Sequence, residues 1–198
     1  VDAIVNSTNR SLKLNTGTVS RTLLQNAGDN IQTECHQNAP NGIGFGEVVV
    51  TSGGRLNCQH IVHGACPQWD EGGGRSEKAL RQLIAKSLDA VHTKGLTSIA
   101  IPAIGVGKLG FPEQLVATIM LDEVRKFSRH NRQTSLKDVR LVVYPKDSQT
   151  IKAFEDVLFS SGLDSSGTTR RGPHVYLQDR RKVHVLAFGL FQRSLVHC

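Results

Sequence analysis

Short apolar runs alternate along the chain with longer segments in which apolar residues recur every three or four positions. The short runs are typical of buried β-strands and fall at residues 3–5, 47–51, 60–63, 98–102 and 139–144. The longer segments are typical of helices with one buried face and fall at residues 19–27, 76–94, 112–127 and 148–158. This alternation predicts an α/β fold, a three-layer α/β/α sandwich around a mixed, mostly parallel sheet.

The two ends of the chain depart from this pattern. Because the first apolar run begins at residue 3, we expect the chain to begin inside a domain. We assign residues 1–159 to this domain and residues 160–198 to a linker-like basic tail, which opens with a stretch rich in Ser and Gly. Residues 182–188 of the tail alternate as a strand would. Three alternatives stay open for them: an edge strand of the same sheet, the first strand of a following domain, or a segment that does not fold.

Charge and cysteine content narrow the class of protein. The 198 residues include 24 Lys and Arg against 17 Asp and Glu, a formal net charge of +7. Six basic and two acidic residues fall within residues 160–198, so the predicted domain carries only +3, and we expect no direct contact with nucleic acid. No apolar run approaches the length of a membrane span, so we expect no membrane partner. The four cysteines are too few for a disulfide scaffold, which favours the nucleus, the cytoplasm or both.

The most informative segment is the glycine loop, residues 103–112, between a predicted strand and a predicted helix. Gly105, Gly107 and Gly110 form the pattern G-x-G-x-x-G. Glycines there allow the backbone to approach a diphosphate, whose oxygens accept hydrogen bonds from amide groups near a helix N-terminus. A Rossmann dinucleotide site would also need an acidic residue after the next strand, but Asp122 and Glu123 fall within a predicted helix. A glycine turn without a ligand is the structural alternative.

Two asparagines and a second loop follow the first predicted strand. Asn6 and Asn9 lie at its carboxyl end, where open α/β sheets bind ligands. An amide offers donors and an acceptor, which suits sugar hydroxyls, although Asn6 is better explained as a residue that ties the loop. Residues 14–20, the helix-entry loop, then lead into the first helix, whose N-terminal amide groups would face an anion.

Together these segments resemble the macro domain, an ADP-ribose-binding module. The resemblance rests on DAIVNSTN at residues 2–9, on the helix-entry loop and above all on SIAIPAIGVGKLGFP at residues 98–112. It covers residues 1 to about 159. The NSTN variant and the threonine in the helix-entry loop are most similar to the tandem macro domains of mono-ADP-ribosylating members of the poly(ADP-ribose) polymerase family.

The resemblance implies a role for each residue of the two loops. Asn9 would contact the distal ribose, and Tyr144 would lie against the adenine. The helix-entry loop would cradle the diphosphate from one side with Gly17, Thr18, Val19 and Ser20. The glycine loop would close over it with Gly105, Val106, Gly107, Lys108, Leu109 and Gly110, and Phe111 would lie near the distal ribose. ADP-ribose is the implied ligand, and no separate cofactor is expected.

The sequence departs from the family's pattern in two places. The family's first strand and the Gly-Asp-Ile loop after it, whose Asp hydrogen-bonds adenine, would lie upstream of Val1. Members that hydrolyse ADP-ribosyl bonds often carry an Asp directly after the first phosphate loop, where this chain has Ser20, a neutral hydroxyl that does not serve as a general base. Side chains at Asn15, Thr16 and Thr18 also crowd a loop that is usually rich in glycine.

A group of cysteines and histidines has the appearance of a metal site. Cys58, His60, His63 and Cys66 lie close together in the sequence. On a strand, however, positions 60 and 63 point to opposite faces, because their separation is odd. We therefore predict buried strand residues here and no metal site.

We predict a module that binds ADP-ribose and ADP-ribosylated proteins, as part of a protein of the poly(ADP-ribose) polymerase family. Two other hypotheses stay open. The first is a mono-ADP-ribosyl hydrolase that uses Asn9 and substrate-assisted water, which release of ADP-ribose from a modified protein would reveal. The second is a degenerate scaffold for protein contacts, which absence of nucleotide binding would support. The sequence shows no transferase active site, so any such activity would belong to other parts of a longer protein.

Overall fold

The computed structural model describes residues 1–160, 174–176 and 182–187. Its strands are β1 (Ala3–Thr8), β2 (Val48–Ser52), β3 (His60–Ala65), β4 (Ser98–Pro102), β5 (Asp138–Val143), β6 (His174–Tyr176) and β7 (Lys182–Ala187). Its helices are α1 (Thr18–Ala27), α2 (Asn30–Asn38), α3 (Arg75–Thr93), α4 (Glu113–His130) and α5 (Ser148–Ser160), and a short 3₁₀ turn spans Gly107–Leu109. None of the helices in these residues combines the length and the apolar character that crossing a membrane requires.

The described strands form one mixed sheet in the order β2-β3-β1-β4-β5-β7-β6. Neighbours from β3 to β7 pair in parallel, whereas β2 and β6 pair antiparallel at the two edges. Side chains that alternate along β1 separate the two faces, because Ala3 and Val5 pack on one side and Ile4 on the other. The predicted α/β/α sandwich with a mixed, mostly parallel sheet is confirmed.

Each face of the sheet carries its own hydrophobic core. On one face, α3, α4 and α5 present buried stripes, of which the stripe on α3 comprises Leu80, Leu83, Ile84, Leu88 and Val91. On the other face, α1 and α2 bury Leu23, Ile31 and their neighbours against Ile4 and Ile61. Burial of these apolar stripes is the main stabilising contribution to a domain of this kind.

Part of the predicted tail belongs to the same sheet. β7 pairs in parallel with β5, from Asp138 opposite Lys182 to Val143 opposite Ala187, and β6 pairs with β7. The sequence left the placement of residues 182–188 open, and in the structure residues 182–187 extend the sheet beyond β5. The assignment of a domain boundary at residue 159 stays a prediction.

Helix α2, which the apolar pattern did not predict, covers the outer edge of β2. The side-chain amide of Asn38 donates to the Val50 carbonyl oxygen at 2.9 Å. The Glu34 carboxylate accepts hydrogen bonds from the Ser52 amide at 2.6 Å and from the Ser52 hydroxyl at 2.5 Å. Burial acts to raise the pKa of Glu34, but the bonds from Ser52 outweigh it and hold that pKa below its ordinary value. Backbone groups of β2 that would otherwise face outward are thus bonded within the domain.

Candidate functional site

Three loops meet at the carboxyl ends of the strands β1, β4 and β5, because these strands are parallel neighbours. β1 pairs with β4, and β4 pairs with β5, so the carboxyl ends of these strands lie side by side. Asn9 follows β1, the glycine loop follows β4, and Tyr144 follows β5. The Ala103 amide, at the exit of β4, donates to the Val142 carbonyl oxygen at 3.0 Å and ties the glycine loop to β5. The segments predicted to bind a ligand are therefore brought together, at the edge where open α/β sheets bind ligands.

The side chain of Asn9 orders the backbone that leads into the helix-entry loop. Its Nδ2 donates to the Lys13 carbonyl oxygen at 2.9 Å and to Thr16 Oγ1 at 2.6 Å. Its Oδ1 accepts from the Ser11 hydroxyl at 2.7 Å and from the Lys13 amide at 3.1 Å. These four bonds use the full capacity of a side-chain amide. A ribose hydroxyl would have to replace one of them, and the contact of Asn9 with ribose stays a prediction.

Gln32 on α2 holds the same backbone from the other side. Its Nε2 donates to the Leu12 carbonyl oxygen at 2.8 Å, and its Oε1 accepts from the Leu14 amide at 2.8 Å. Leu12 has a φ of 56°, a left-handed conformation that is strained for a leucine, and its side chain is fully buried. Burial of Leu12 and Leu14, together with the two bonds from Gln32, maintains this conformation. Sequence reasoning missed Gln32 because α2 itself was not predicted.

The N-terminus of α1 presents amide groups that no side chain caps among the described residues. Gly17 precedes the helix with a φ of 79°, and a Cβ added there would have no heavy atom within 4 Å. Thr18 and Val19, in the first turn, are exposed, Val19 at 43%. The first N–H groups of a helix have no partner inside the helix, and the helix dipole favours an anion beside them. This end of α1 is therefore suited to bind phosphate oxygens.

Ser20 points away from this surface into a buried polar network. Its side chain is 1% exposed, and its hydroxyl oxygen accepts a hydrogen bond from Asn6 Nδ2 at 2.9 Å. The same Asn6 nitrogen lies 3.0 Å from His63 Nδ1, and His63 Nε2 lies 3.0 Å from Thr51 Oγ1. Since the Asn6 nitrogen can only donate, His63 is neutral with its proton on Nε2, which donates to Thr51. Burial lowers the pKa of His63 to about 4, in agreement with this neutral form.

The glycine loop has an open outer surface and a packed inner one. A Cβ added at Gly107 or Gly110 would have no heavy atom within 4 Å, and both residues have a positive φ. At Gly105 the same atom would lie 3.0 Å from the Phe111 ring and 3.2 Å from Val116. Glycine at position 105 therefore lets Phe111 pack behind the loop, where its ring is 3% exposed. Phe111 packs into the core behind the loop, and its position near the distal ribose stays a prediction.

Trp69 connects the glycine loop to the segment that precedes α3. Its amide donates to the Leu109 carbonyl oxygen at 2.8 Å, and its ring centroid lies 5.2 Å from that of Phe111. The next residue, Asp70, accepts hydrogen bonds from the backbone amides of Arg75 and Ser76 at 2.9 and 3.2 Å, which anchors the segment to the start of α3. The sequence places Trp69 in the polar, glycine-rich loop of residues 68–75, where a role at the surface or in a lid stays a prediction. The structure shows it as a support of the glycine loop.

The predicted site residues thus divide into those at the surface and those that support it. Exposed are Gly17, Thr18, Val19, Gly107, Lys108, Gly110 and Tyr144, the last at 57%. Asn9, Val106 and Leu109 are half-buried, and Ser20, Gly105 and Phe111 are buried. Residues 13–20 and 103–112 contain Lys13 and Lys108 and no acidic residue, so the charged side chains of these loops favour an anionic ligand.

The cysteines near β3 are buried or half-buried, and the histidines there have polar protein groups within hydrogen-bond distance. Among the described residues no group of three or more His, Cys, Asp or Glu side chains is arranged to hold a metal ion. Burial raises the pKa of Cys66 to about 12 and that of Cys58 to about 11, so both thiols are protonated at neutral pH. His60 Nδ1 lies 3.1 Å from the Thr51 carbonyl oxygen, while His63 belongs to the buried network.

Comparison with known proteins shows the family and its breadth. The chain is 35% identical over 156 residues to the protein mono-ADP-ribosyltransferase PARP14 of Homo sapiens, a match that covers 78% of this chain and 9% of that protein. It is 37% identical over 163 residues to the macro domain-containing protein lmo2759 of Listeria monocytogenes, covering 81% of this chain and 90% of that protein. The chain thus spans a small part of the human protein and nearly all of the bacterial one.

A solved structure shares the fold at lower sequence identity. It is the Trypanosoma brucei macrodomain in complex with ADP-ribose, which superposes with a TM-score of 0.69 at 26% identity, covering 79% of this chain and 63% of that chain. The family model for the macro domain matches residues 5–120. From this match and from the relatives, together with the sheet and loops described above, the chain belongs to the macro domain family.

Proposed function

We propose that this macro domain binds ADP-ribose and recognises proteins that carry it. The observation that supports this most strongly is the pair of loops at one edge of the sheet. One presents the uncapped N-terminus of α1, and the other presents Gly107 and Gly110 with open space above them. Backbone amide groups on two sides, with basic and no acidic side chains nearby, form a suitable cradle for a diphosphate.

The rest of the ligand has matching positions along the same edge. Tyr144 follows β5 with an exposed ring that could stack on adenine. Asn9 follows β1, on the side where the distal ribose would lie. The Trypanosoma brucei macrodomain with ADP-ribose bound supports the same ligand for this chain.

We further propose that the chain is a module of a poly(ADP-ribose) polymerase-family protein of the nucleus, the cytoplasm or both. The identity to PARP14 supports this finer assignment. The similarly strong match to the Listeria protein shows that sequence likeness of this degree extends well beyond that family. Transferase activity would belong to other parts of such a protein.

The geometry supports binding better than hydrolysis. A hydrolase needs a group that positions or deprotonates the attacking water. The Ser20 hydroxyl accepts a hydrogen bond from Asn6 in the buried network, and neither residues 9–20 nor the glycine loop contain a carboxylate. The side chain of Asn9, the other candidate for positioning water, makes four hydrogen bonds within its own loop. We therefore propose a reader of ADP-ribosylation, a protein module that recognises the modification without removing it.

Calorimetric titration with ADP-ribose tests the proposal. We expect micromolar affinity, about −8 kcal/mol. The variant Gly107→Glu places a carboxylate in the glycine loop and should abolish binding, because it repels the diphosphate. Gly95→Glu is the matched control, because Gly95 also has a positive φ, 67° against 75° at Gly107, and open space for a Cβ. Gly95 lies between α3 and the start of β4, at the other end of that strand from the glycine loop.

The two variants distinguish loss of the site from loss of the fold. Gly95→Glu should bind as the parent does, and both variants should show similar circular dichroism. A folded parent chain that does not bind ADP-ribose would contradict the proposal and favour the scaffold hypothesis. Release of ADP-ribose from a modified protein by the parent would replace the reader with a hydrolase.

A further inference from the structure

An exposed arginine and an exposed phenylalanine form a pair beside Asn9. The guanidinium carbon of Arg10 lies 5.2 Å from the centroid of the Phe45 ring, within the range of a cation–π interaction. Arg10 is exposed, and Phe45 is 47% exposed. We call this pair the Arg10–Phe45 patch. It lies next to the proposed ADP-ribose site but includes none of the residues assigned to it.

The patch is held in place by its own backbone. Arg10 Nε donates to the Ile43 carbonyl oxygen at 3.3 Å, and the Ile43 amide donates to the Arg10 carbonyl oxygen at 2.8 Å. Gly42 permits this close approach, since a Cβ there would lie 2.2 Å from the Arg10 carbonyl oxygen. The terminal amino groups of the guanidinium donate no hydrogen bond to any residue that the structure describes. Arg10 therefore presents an oriented, planar pair of donors to the solvent.

The surroundings of the patch favour a carboxylate over a diphosphate. The backbone amides of Gly42, Ile43, Gly46 and Glu47 are already bonded to carbonyl oxygens of the chain. The amides of Gly44 and Phe45 are not among these bonded groups, but no helix begins within residues 42–47 to add its dipole to them. The charged group of the patch is a single guanidinium, whose two parallel N–H groups match the two oxygens of one carboxylate.

We propose that the Arg10–Phe45 patch binds an acidic side chain that flanks the modified residue of an ADP-ribosylated protein. This inference rests on the proposed function, because it places the distal ribose, whose anomeric carbon carries the modified protein, at Asn9. The protein chain leaving that ribose would then pass over Arg10. The patch would make the domain prefer modification sites in acidic sequences.

Two ADP-ribosylated peptides test this inference. They share one sequence and one modified residue, but the flanking position is Glu in one and Gln in the other, and free ADP-ribose is titrated alongside. The parent chain should bind the Glu peptide about two- to five-fold more tightly, within the range of an exposed ion pair. The preference should shrink in high salt, because exposed charges are screened. Arg10→Ala should lose the preference while its affinity for free ADP-ribose stays unchanged.

Control variants separate the patch from general charge effects. Arg132→Ala removes an exposed arginine after α4, at the opposite edge of the sheet, and should keep the preference. Phe45→Leu, which removes the ring that orients the guanidinium, should reduce the preference. Equal affinity of the parent for the two peptides, or a preference that survives Arg10→Ala, would overturn the inference while ADP-ribose binding stands. If Arg10→Ala weakens binding only for a ligand of two linked ADP-ribose units, the patch binds the polymer and the inference is also overturned. Absence of binding to free ADP-ribose would overturn the proposed function itself.

Discussion

The buried network around His63 makes the stability of this domain depend on pH. Burial lowers the pKa of His63 from its ordinary 6.5 to about 4 in the folded state. A protonated ring would place an N–H group against the Asn6 amide nitrogen, which is itself a donor. As the pH falls below 6.5, the unfolded chain binds a proton at this position, whereas the folded chain does not until about pH 4. The contribution of the neutral His63 ring to the free energy of unfolding is therefore fully present above pH 6.5 and is lost as the pH falls toward 4.

The difference between the two pKa values sets the size of the effect. Since one pKa unit corresponds to about 1.4 kcal/mol, the free energy of unfolding should fall by about 3 kcal/mol across the whole window. By about pH 5 the loss should already reach about 2 kcal/mol. A typical domain has a free energy of unfolding of about 5–15 kcal/mol, so a loss of this size is readily measured.

Urea unfolding at a series of pH values between about 7.5 and 5 measures this loss. His63→Gln provides the comparison, because a glutamine can accept from Asn6 and donate to Thr51 but does not titrate. We expect this variant to be less stable than the parent at neutral pH and to show a much weaker pH dependence. His130→Gln, a change of an exposed histidine at the end of α4, should keep the parental dependence. A parent whose stability is unchanged across the window, or a His63→Gln variant that loses as much as the parent, would refute the reasoning.

Two further predictions concern the supports of the two loops. Gln32→Leu leaves the Leu12 carbonyl and the Leu14 amide without their partner and should lower the free energy of unfolding by about 1–3 kcal/mol. The variant should also bind ADP-ribose several-fold more weakly in calorimetry. Unchanged affinity would show that the helix-entry loop is ordered without Gln32. Trp69, the single tryptophan, packs on Phe111 behind the glycine loop, so ADP-ribose should change its fluorescence in the parent chain. The same change is expected in Gly95→Glu but not in Gly107→Glu. Tryptophan fluorescence that stays unchanged in the parent at saturating ADP-ribose would contradict the contact between Trp69 and the site.

The sequence predicted those elements whose apolar residues follow a clear period. β4 was predicted at residues 98–102 and is found at Ser98–Pro102, and the apolar stripe predicted for α3 is buried as expected. Helix α2 was missed because only Ile31 and Cys35 among its nine residues are buried. Its side chains instead bond to backbone groups far away in the sequence, through Gln32, Glu34 and Asn38. Tertiary contacts of this kind leave no periodic pattern.

The candidate site could be located from the sequence, but the direction of its side chains could not. Glycines between a strand and a helix, with asparagines after a neighbouring strand, predicted that these segments lie together at the carboxyl ends of parallel strands, and the structure brings them together there. Whether a given side chain faces the ligand depends on partners that only the fold brings near. Asn9 bonds its own loop, Ser20 turns toward Asn6, and Phe111 fills the space left by Gly105. Contacts between these residues and a ligand stay predictions.

Helix α2 contacts two separate regions of the domain, the backbone before the helix-entry loop and the outer edge of β2. Through Gln32 it holds the backbone before the helix-entry loop, and through Glu34 and Asn38 it occupies the outer edge of β2. A transient opening of α2 would loosen the loop and at the same time uncover a strand edge that can pair with a second molecule. A ligand that binds only the closed loop opposes this opening by mass action. We therefore expect occupancy of the site and resistance to self-association to rise and fall together.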